Sequence, residues 1–179
     1  MYLFIYEGFS GGPDRSAHTE ELVVQAAEAY AEEMNIALEG MSREIERTEK
    51  GKPYFKELPL SFSVSHTDDL WVCLISEGTA PVGVDIQKIK NTRQGKIADR
   101  YFTDDEKDKF INEDKDFFFK IWTRKEAYAK YTGKGLTKEL SKISTLNNSE
   151  VSFIDFDIRA GIKGSCCVKE EGDLCLRMI

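Results

Sequence analysis

Residues 60–76 contain two strand patterns separated by a short polar segment, and they limit the possible folds more than any other part of the chain. In the first pattern, LSFSVSH, apolar residues alternate with serines, so Leu60, Phe62 and Val64 lie on one face of a strand. The second pattern, LWVCLIS, is apolar throughout and predicts a buried strand. The intervening TDD predicts a tight turn. The chain therefore needs a β-sheet core, and His66 lies where the first strand ends.

Helical patterns lie on both sides of these strands. Residues 19–35, TEELVVQAAEAYAEEMN, predict an amphipathic helix. Residues 116–133, DFFFKIWTRKEAYAKYTG, predict the longest helix, which ends at a glycine and has lysine in its last turn. Thr103 is followed three residues later by Glu106, a capping box that predicts the start of a shorter helix.

Further strands are predicted before and after the helices. The starting segment MYLFIY, PVGVDIQKI at 81–89 and SFIDFDI at 152–158 each fit a strand, and SCCVKEEGDLCLRMI predicts a closing hairpin that turns around Gly172. The order of elements indicates an α+β fold in a single domain, 1–179. We expect an N-terminal lobe of about 1–88 and a C-terminal lobe of about 89–179, which meet near residues 88–100.

Composition excludes some classes of function. The net charge of −7, from 25 basic and 32 acidic residues, argues against a nucleic-acid partner, because such proteins need a basic face to neutralise phosphates. The four cysteines form no CxxC pair and no histidine has zinc-ligand spacing, so we expect reduced thiols and a cytoplasmic location. The first apolar run is too short for a signal peptide or a membrane span, and we expect no membrane association.

Ser65, His66 and Thr67 form the first candidate site, at the end of a predicted strand. An imidazole with neighbouring hydroxyls and free strand-end backbone groups can hold a phosphate. The alternative is a capped turn in which the histidine bonds a carbonyl group. Taken alone, the pattern favours that alternative.

Asp85 and Gln87 form the second candidate site. Side chains two residues apart on a strand share a face, so both point away from the face that carries Val84 and Ile86. A carboxylate beside an amide oxygen suits a hard divalent cation such as Mg²⁺. The alternative is two polar residues on a solvated sheet face, which is the usual meaning of such a pattern.

The third candidate site is the basic run at 120–138, KIWTRKEAYAKYTGKGLTK, which has six basic residues and one acid, Glu126. Trp122, Glu126 and Lys130 are spaced by four and lie along one row of a helix. An i,i+4 ion pair on a surface helix is one interpretation. The other is a glutamate that ligates a metal or accepts a proton, next to lysines that bind phosphate.

These motifs occur in the order GKP at 51–53, SH at 65–66, VGVDI at 82–86 and WTRKEAYAKYTGKGL at 122–136. The series closely resembles the 4'-phosphopantetheinyl transferases, particularly the monomeric surfactin-synthetase-activating type, over about half the chain. The resemblance implies two pseudo-symmetric lobes, each with a small antiparallel sheet packed on a long helix, and a monomer with its active site between the lobes.

The resemblance also implies an activity and its residues. The family transfers the 4'-phosphopantetheine group of coenzyme A to a serine of an apo acyl or peptidyl carrier protein, with Mg²⁺, releasing adenosine 3',5'-bisphosphate. By resemblance, Asp85 is the central Mg²⁺ ligand, Glu126 is a second ligand and the base for the incoming serine, and Lys130 holds the pyrophosphate. A carboxylate base agrees with the chemistry, because a serine hydroxyl is a poor nucleophile near neutral pH.

The remaining implied residues contact coenzyme A. Ser65 and His66 match the family's phosphate-binding pair, and Lys52 and Pro53 match a segment beside the nucleotide. Lys125 is implied as a support for the pyrophosphate. The lysines that relatives place at the 3'-phosphate are not evident, and Arg15 is the nearby candidate.

The chain departs from the family pattern at Gln87, where many relatives carry an acid. We expect Gln87 to be a weak neutral metal ligand and Mg²⁺ binding to be weaker in consequence. Two alternatives stay open: a non-catalytic relative that binds a carrier protein or coenzyme A, and a structural α+β module whose motifs are accidental. Carrier proteins are typically acidic, so the basic run at 120–138 offers them an electrostatic partner.

Overall fold

The computed structural model describes residues 1–10, 15–90, 93–111 and 115–179. Within these ranges the chain forms nine strands, four α-helices and a short 3-10 helix at Lys138–Lys142. The strands are β1 Tyr2–Glu7, β2 Ile45–Arg47, β3 Pro53–Phe55, β4 Leu60–Thr67, β5 Leu70–Glu77, β6 Gly83–Lys88, β7 Ser152–Asp157, β8 Ile162–Val168 and β9 Cys175–Met178. The helices are α1 Arg15–Glu33, α2 Gln94–Tyr101, α3 Asp104–Phe110 and α4 Lys115–Thr132.

The α+β class predicted from the sequence is confirmed, and two sheets form its centre. The larger sheet has the order β4-β5-β1-β9, the smaller has the order β6-β8-β7, and β2 pairs only with β3 among the described strands. The β4–β5 hairpin pairs His66 with Trp71, and Asp68 in its turn has a φ of 50°, a conformation that aspartate tolerates better than most residues.

The apolar run of β5 is explained by burial on both of its faces. Trp71 and Cys73 belong to the core between the larger sheet and α1. Val72 and Leu74 belong to a second core, where they meet Val84 and other apolar residues of the smaller sheet. Alternate side chains of a strand point to opposite faces, so each face of β5 has its own core.

The carboxyl-terminal hairpin predicted from the sequence is wrong. Strands β8 and β9 lie in different sheets, and β9 pairs in parallel with β1, with Tyr2 opposite Cys175. Both edges of β8 are occupied, by β6 and by β7, whereas β1 has a free edge that accepts β9. Strand β6 joins the smaller sheet and β9 the larger, so both cross the lobe division predicted near residue 88. Residues 91–92 of the predicted junction lie outside the described residues.

The helix ends follow the sequence signals. The capping box is confirmed, since the Thr103 N–H donates to Glu106 Oε2 at 2.9 Å. Helix α4 ends before Gly133, whose φ of 66° is a left-handed conformation that favours glycine. The sequence analysis missed α2 and the three-residue strands β2 and β3, which are too short for a periodic pattern. None of the helices in the described residues has both the length and the apolar character needed to cross a bilayer.

Because α4 and β6 are in close contact at Gly83, adding one methyl group there is expected to have a strong effect on the stability of the fold. A Cβ on Gly83 would lie 2.0 Å from the Ala127 carbonyl oxygen and 2.6 Å from the Tyr131 nitrogen. Because both obstacles are backbone atoms, Gly83→Ala must push the helix away from the strand, and we expect it to destabilise the fold by about 3 kcal/mol. Urea denaturation followed by circular dichroism measures this change.

Gly95→Ala is the matched control. Gly95 lies in α2, and a Cβ there would meet nothing within 4 Å. We expect this variant to be neutral or stabilised by up to about 1 kcal/mol, because alanine favours the helix. Equal losses in both variants would contradict the close packing at Gly83.

Candidate functional site

The site is centred on Asp85, on the side of β6 that α4 crosses. The absence of a side chain at Gly83 lets the helix approach the strand, and Asp85 is only 2% exposed. Its Oδ1 accepts hydrogen bonds from Ser65 Oγ and Lys130 Nζ, each at 2.8 Å. Its Oδ2 accepts one from Gln87 Nε2 at 3.1 Å. The polar face of β6 is therefore buried, in contrast to the solvated face considered in the sequence analysis.

Glu126 brings a second carboxylate to the same place from α4. Partial burial and, to a lesser extent, the negative charge of Asp85 raise the pKa of Glu126, the positive charge of Lys130 opposes them, and the net result is a pKa of about 7. Like charges that approach each other disfavour ionisation of the second group. Glu126 thus lines the cleft together with Lys130, which bonds Asp85 directly.

Lys130 lies one helical turn after Glu126 and joins three partners. Its ammonium donates to the carbonyl oxygens of Val64 at 3.1 Å and Val84 at 2.9 Å, and to Asp85. An ammonium has three donors, so all three are engaged by protein atoms. The predicted pyrophosphate ligand is at the site, and it also connects β4 of one sheet to β6 of the other.

The donor set fits a hard divalent cation. Asp85 and Glu126 offer carboxylate oxygens to such a cation. The Gln87 amide offers its carbonyl oxygen if the side chain rotates by 180°, which exchanges the positions of its oxygen and nitrogen. These two atoms are distinguished only by the hydrogen bonds they make. Within the described ranges no three His, Cys, Asp or Glu side chains cluster as metal ligands, in line with an amide in place of a third acid.

A cleft opens beside these carboxylates. It has a volume of about 320 Å³ and lies between the turn that precedes β3 and the segment that follows α4. Its lining residues are Lys50, Gly51, Lys52, Pro53, Phe62, Ser63, Val64, Glu126, Ala129, Lys130, Gly133, Gly135 and Leu136. The structure therefore brings together the predicted residues of the GKP motif and those of the long helix.

Lys52 lies at the wall of the cleft and has partners of its own. Its ammonium donates to the carbonyl oxygens of Val82 at 3.1 Å and Tyr131 at 2.9 Å. Burial lowers the pKa of Lys52 to about 8, and the charge of Cys167 opposes this shift. Lys52 thereby connects the β2–β3 hairpin to the end of α4 as well as lining the cleft.

His66 lies in an aromatic and basic corner near the start of α1. Its ring stacks on Phe9 with centroids 5.6 Å apart, and the Arg15 guanidinium lies within hydrogen-bond distance of its ring nitrogens. Partial burial lowers the pKa of His66, and the positive charges of Arg15 and Lys130 lower it further. His18 also stacks on Phe9, at 5.4 Å. The sequence analysis missed Phe9 and His18, because no local pattern connects them to the end of β4.

Lys125 does not join the other predicted residues. Its side chain is fully buried and pairs with Glu106 at 2.7 Å, with a further bond to the Leu140 carbonyl at 2.9 Å. The same glutamate accepts the N–H and hydroxyl of Thr145 and the N–H of Thr103. Burial lowers the pKa of Lys125 although Glu106 opposes the shift. We therefore leave Lys125 out of the proposed phosphate-binding set, since its donors serve α3 and the segment after α4.

The Lys125–Glu106 pair predicts a large loss of stability without a direct effect on the cleft. Lys125→Met leaves Glu106 buried without its cation, and we expect a loss of about 3–5 kcal/mol in the free energy of unfolding. Urea denaturation measures it. Lys107→Met is the control, because Lys107 and Asp104 form a more exposed pair on α3, whose removal costs less than about 1 kcal/mol. Similar small losses in both would contradict the structural role of Lys125.

Comparison with known proteins identifies the family of the chain. The model of the 4'-phosphopantetheinyl transferase superfamily matches residues 81–175. The 4'-phosphopantetheinyl transferase gsp of Aneurinibacillus migulanus is 34% identical over 68% of this chain and 56% of its own length. The 4'-phosphopantetheinyl transferase psf-1 of Bacillus pumilus is 36% identical over 52% of this chain and 41% of its own. The corresponding Sfp of Bacillus subtilis strain 168 is 35% identical, over 54% and 44%. The chain thus spans about half the length of these relatives.

Proposed function

The chain belongs to the 4'-phosphopantetheinyl transferase superfamily, and from this premise we propose that it transfers the 4'-phosphopantetheine group of coenzyme A to a serine hydroxyl of an apo carrier protein. The observation that carries the proposal is that Lys130 bonds Asp85 of β6 and, with Glu126 of α4, lines a cleft that also has Lys52 in its wall. A diphosphate substrate needs such positive charge, and a hydroxyl nucleophile needs a base.

Asp85 and Glu126 are the carboxylates that would hold Mg²⁺, and Gln87 would add the oxygen of a neutral amide as a further ligand. When bound, the metal acts as a Lewis acid toward the charge that develops on the phosphate oxygens. Asp85 is already fixed by hydrogen bonds before any ligand arrives. A ligand held in advance loses little conformational entropy on binding, which favours catalysis.

The lysines and His66 are the proposed contacts for coenzyme A. Lys130 lines the cleft beside Asp85 and suits the pyrophosphate, while Lys52 and Pro53 line its other wall and suit the nucleotide. His66 and Arg15 lie together beside Phe9 and offer donors to the 3'-phosphate. Arg15 thus supplies the charge that the family's lysines provide in other members.

Glu126 is the proposed base for the incoming serine. Glu126 lines the cleft one helical turn before Lys130, and a carboxylate within reach of a hydroxyl can accept its proton. In the proposed step the serine oxygen attacks the β-phosphorus of coenzyme A, its proton passes to Glu126, and the bond to the leaving adenosine 3',5'-bisphosphate breaks. Lys130 stays beside the developing charge and stabilises it as a fixed positive charge, since its three hydrogen-bond donors are engaged by Val64, Val84 and Asp85.

The carrier protein is proposed to approach the end of α4. Four of the six basic residues in the run at 120–138 pair with acids of the protein itself: Lys120, Arg124, Lys125 and Lys130. Lys134 and Lys138 are exposed, and Leu136 between them lines the cleft. These two lysines are the charges available to an acidic carrier, and we propose that they speed its association. We also propose that the chain acts as a monomer in the cytoplasm.

A second candidate function is binding without transfer. Two observations favour it: Gln87 stands where many members have an acid, and Lys130 already occupies Asp85 Oδ1. A non-catalytic member would bind coenzyme A or a carrier protein in the same cleft. Incubation with coenzyme A, Mg²⁺ and a panel of apo acyl and peptidyl carriers, followed by mass spectrometry, distinguishes the two. A carrier that gains phosphopantetheine supports transfer, and a panel that gains none supports binding alone.

Replacing each of the two carboxylates by its amide is the first test of the proposed activity. Asp85→Asn and Glu126→Gln keep the size of each side chain and remove its charge, so we expect transfer to the carrier to fall about 100-fold or more. The rate is read from the mass of the carrier over time. Asp157→Asn removes an exposed carboxylate from β7 and should leave the rate unchanged. Full activity in both site variants would contradict the proposed roles.

Substitution of Gln87 by glutamate is expected to change the concentration of Mg²⁺ that transfer requires. Gln87→Glu adds a charged oxygen beside Asp85, and we expect the Mg²⁺ concentration for half-maximal transfer to fall about tenfold. A Mg²⁺ titration of the transfer rate measures it. Gln25→Glu adds the same charge on the exposed face of α1 and controls for net charge. An unchanged Mg²⁺ requirement in Gln87→Glu would mean that this side chain is not at the metal.

A further inference from the structure

Strands β4 and β6 lie side by side where the two sheets meet, and serine hydroxyls join them. The Val84 N–H donates to Ser63 Oγ at 3.1 Å, and the Ile86 N–H donates to Ser65 Oγ at 3.2 Å. These two N–H groups belong to the side of β6 that does not pair with β8. The alternating serines of β4 therefore satisfy backbone donors of the neighbouring sheet, which would otherwise be buried without partners.

Ser65 differs from Ser63 in one contact. Its hydroxyl also donates to Asp85 Oδ1 at 2.8 Å, and the residue is only 6% exposed. A serine hydroxyl has one hydrogen to donate. A phosphate oxygen is an acceptor, so Ser65 can donate to a phosphate only if it releases the buried carboxylate. The structure thus separates Ser65 from its neighbour His66, which is exposed and stacks on Phe9.

The two oxygens of Asp85 have different partners. Oδ1 accepts hydrogen bonds from both Ser65 and Lys130, whereas Oδ2 accepts one hydrogen bond, from the amide nitrogen of Gln87. Gln87 is itself one of the proposed metal ligands and lies on the same face of β6. With Oδ1 engaged by two donors, Oδ2 is the oxygen that remains for a cation.

We propose that Ser65 is a positioning residue for Asp85, which fixes Oδ1 so that Oδ2 points to the metal site, and that it is not a ligand of a coenzyme A phosphate. This inference rests on the proposed function and deepens it. It assigns the two members of the SH pair to different tasks: Ser65 acts on the metal ligand, and His66 contacts the nucleotide. Hydrogen bonds of this kind to a metal ligand orient it and commonly change metal affinity 10–100-fold.

The test compares metal binding with coenzyme A binding in three serine variants. Mn²⁺ serves as the metal probe, titrated by electron paramagnetic resonance in the presence of saturating coenzyme A. Coenzyme A affinity is measured separately by calorimetry in EDTA, without metal. We expect Ser65→Ala to weaken Mn²⁺ binding about tenfold and to change the metal-free affinity for coenzyme A by less than about threefold.

Two further variants make the outcome specific. Ser61→Ala removes the same kind of hydroxyl from the same face of β4, where it donates to the Gly78 carbonyl at 3.0 Å, away from Asp85 and outside the cleft lining, so it should change neither affinity. Ser65→Thr restores the hydroxyl and should restore Mn²⁺ binding. Circular dichroism confirms that each variant is folded.

Other results overturn the inference. If Ser65→Ala weakens coenzyme A binding in EDTA and leaves Mn²⁺ binding intact, the serine is a phosphate ligand. If it weakens both equally, or neither, it does not act through Asp85. The wild-type chain tests the proposed function separately: failure to bind coenzyme A or Mn²⁺ contradicts that function, whereas normal wild-type binding with an unaltered Mn²⁺ affinity in Ser65→Ala contradicts only the role of Ser65.

Discussion

The close approach of helix α4 to strand β6 at Gly83 is the contact on which the rest of the site depends. A glycine there leaves helix and strand backbones in direct contact, with no room for even a methyl group. Because the distance is short, Glu126 on the helix can interact with Asp85 on the strand, and the Lys130 ammonium can reach carbonyl groups of both β4 and β6. Rigid elements of this kind hold functional groups more accurately than loops do.

Two adjacent residues of α4 show how burial divides charged groups between stability and function. Lys125 and Glu126 follow each other in the chain, and the helix turns them to different surroundings. Lys125 is enclosed with Glu106, whose carboxylate is fully supplied with donors. Glu126 lines the cleft, and partial burial together with the negative charge of Asp85 raises its pKa. A paired buried charge is mainly structural, whereas an incompletely balanced one is suited to binding a cation or moving a proton.

The basic run of the sequence is far less basic in the folded protein. Four of its six cations pair with three carboxylates on other elements, Asp155, Glu106 and Asp85. Interactions at these short distances neutralise the charges locally and weaken their effect on a distant partner. The cations that remain exposed and unpaired with these carboxylates are Lys134 and Lys138, which follow the end of α4 next to the mouth of the cleft. The electrostatic contact with a carrier protein is therefore expected at this place and not along the whole helix.

Local patterns in the sequence determined which residues lie together on one element. Period-two alternation placed Asp85 with Gln87 and opposite Val84, the spacing of four placed Glu126 with Lys130, and the capping box set the start of α3. The tertiary structure alone decided what covers each face: that Asp85 is buried, that Lys125 turns to Glu106, that Ser65 bonds Asp85, and that β9 pairs with β1. The physical reason is that periodicity follows from the geometry of one helix or strand, whereas a partner far along the chain is selected by packing and by hydrogen-bond groups left free elsewhere.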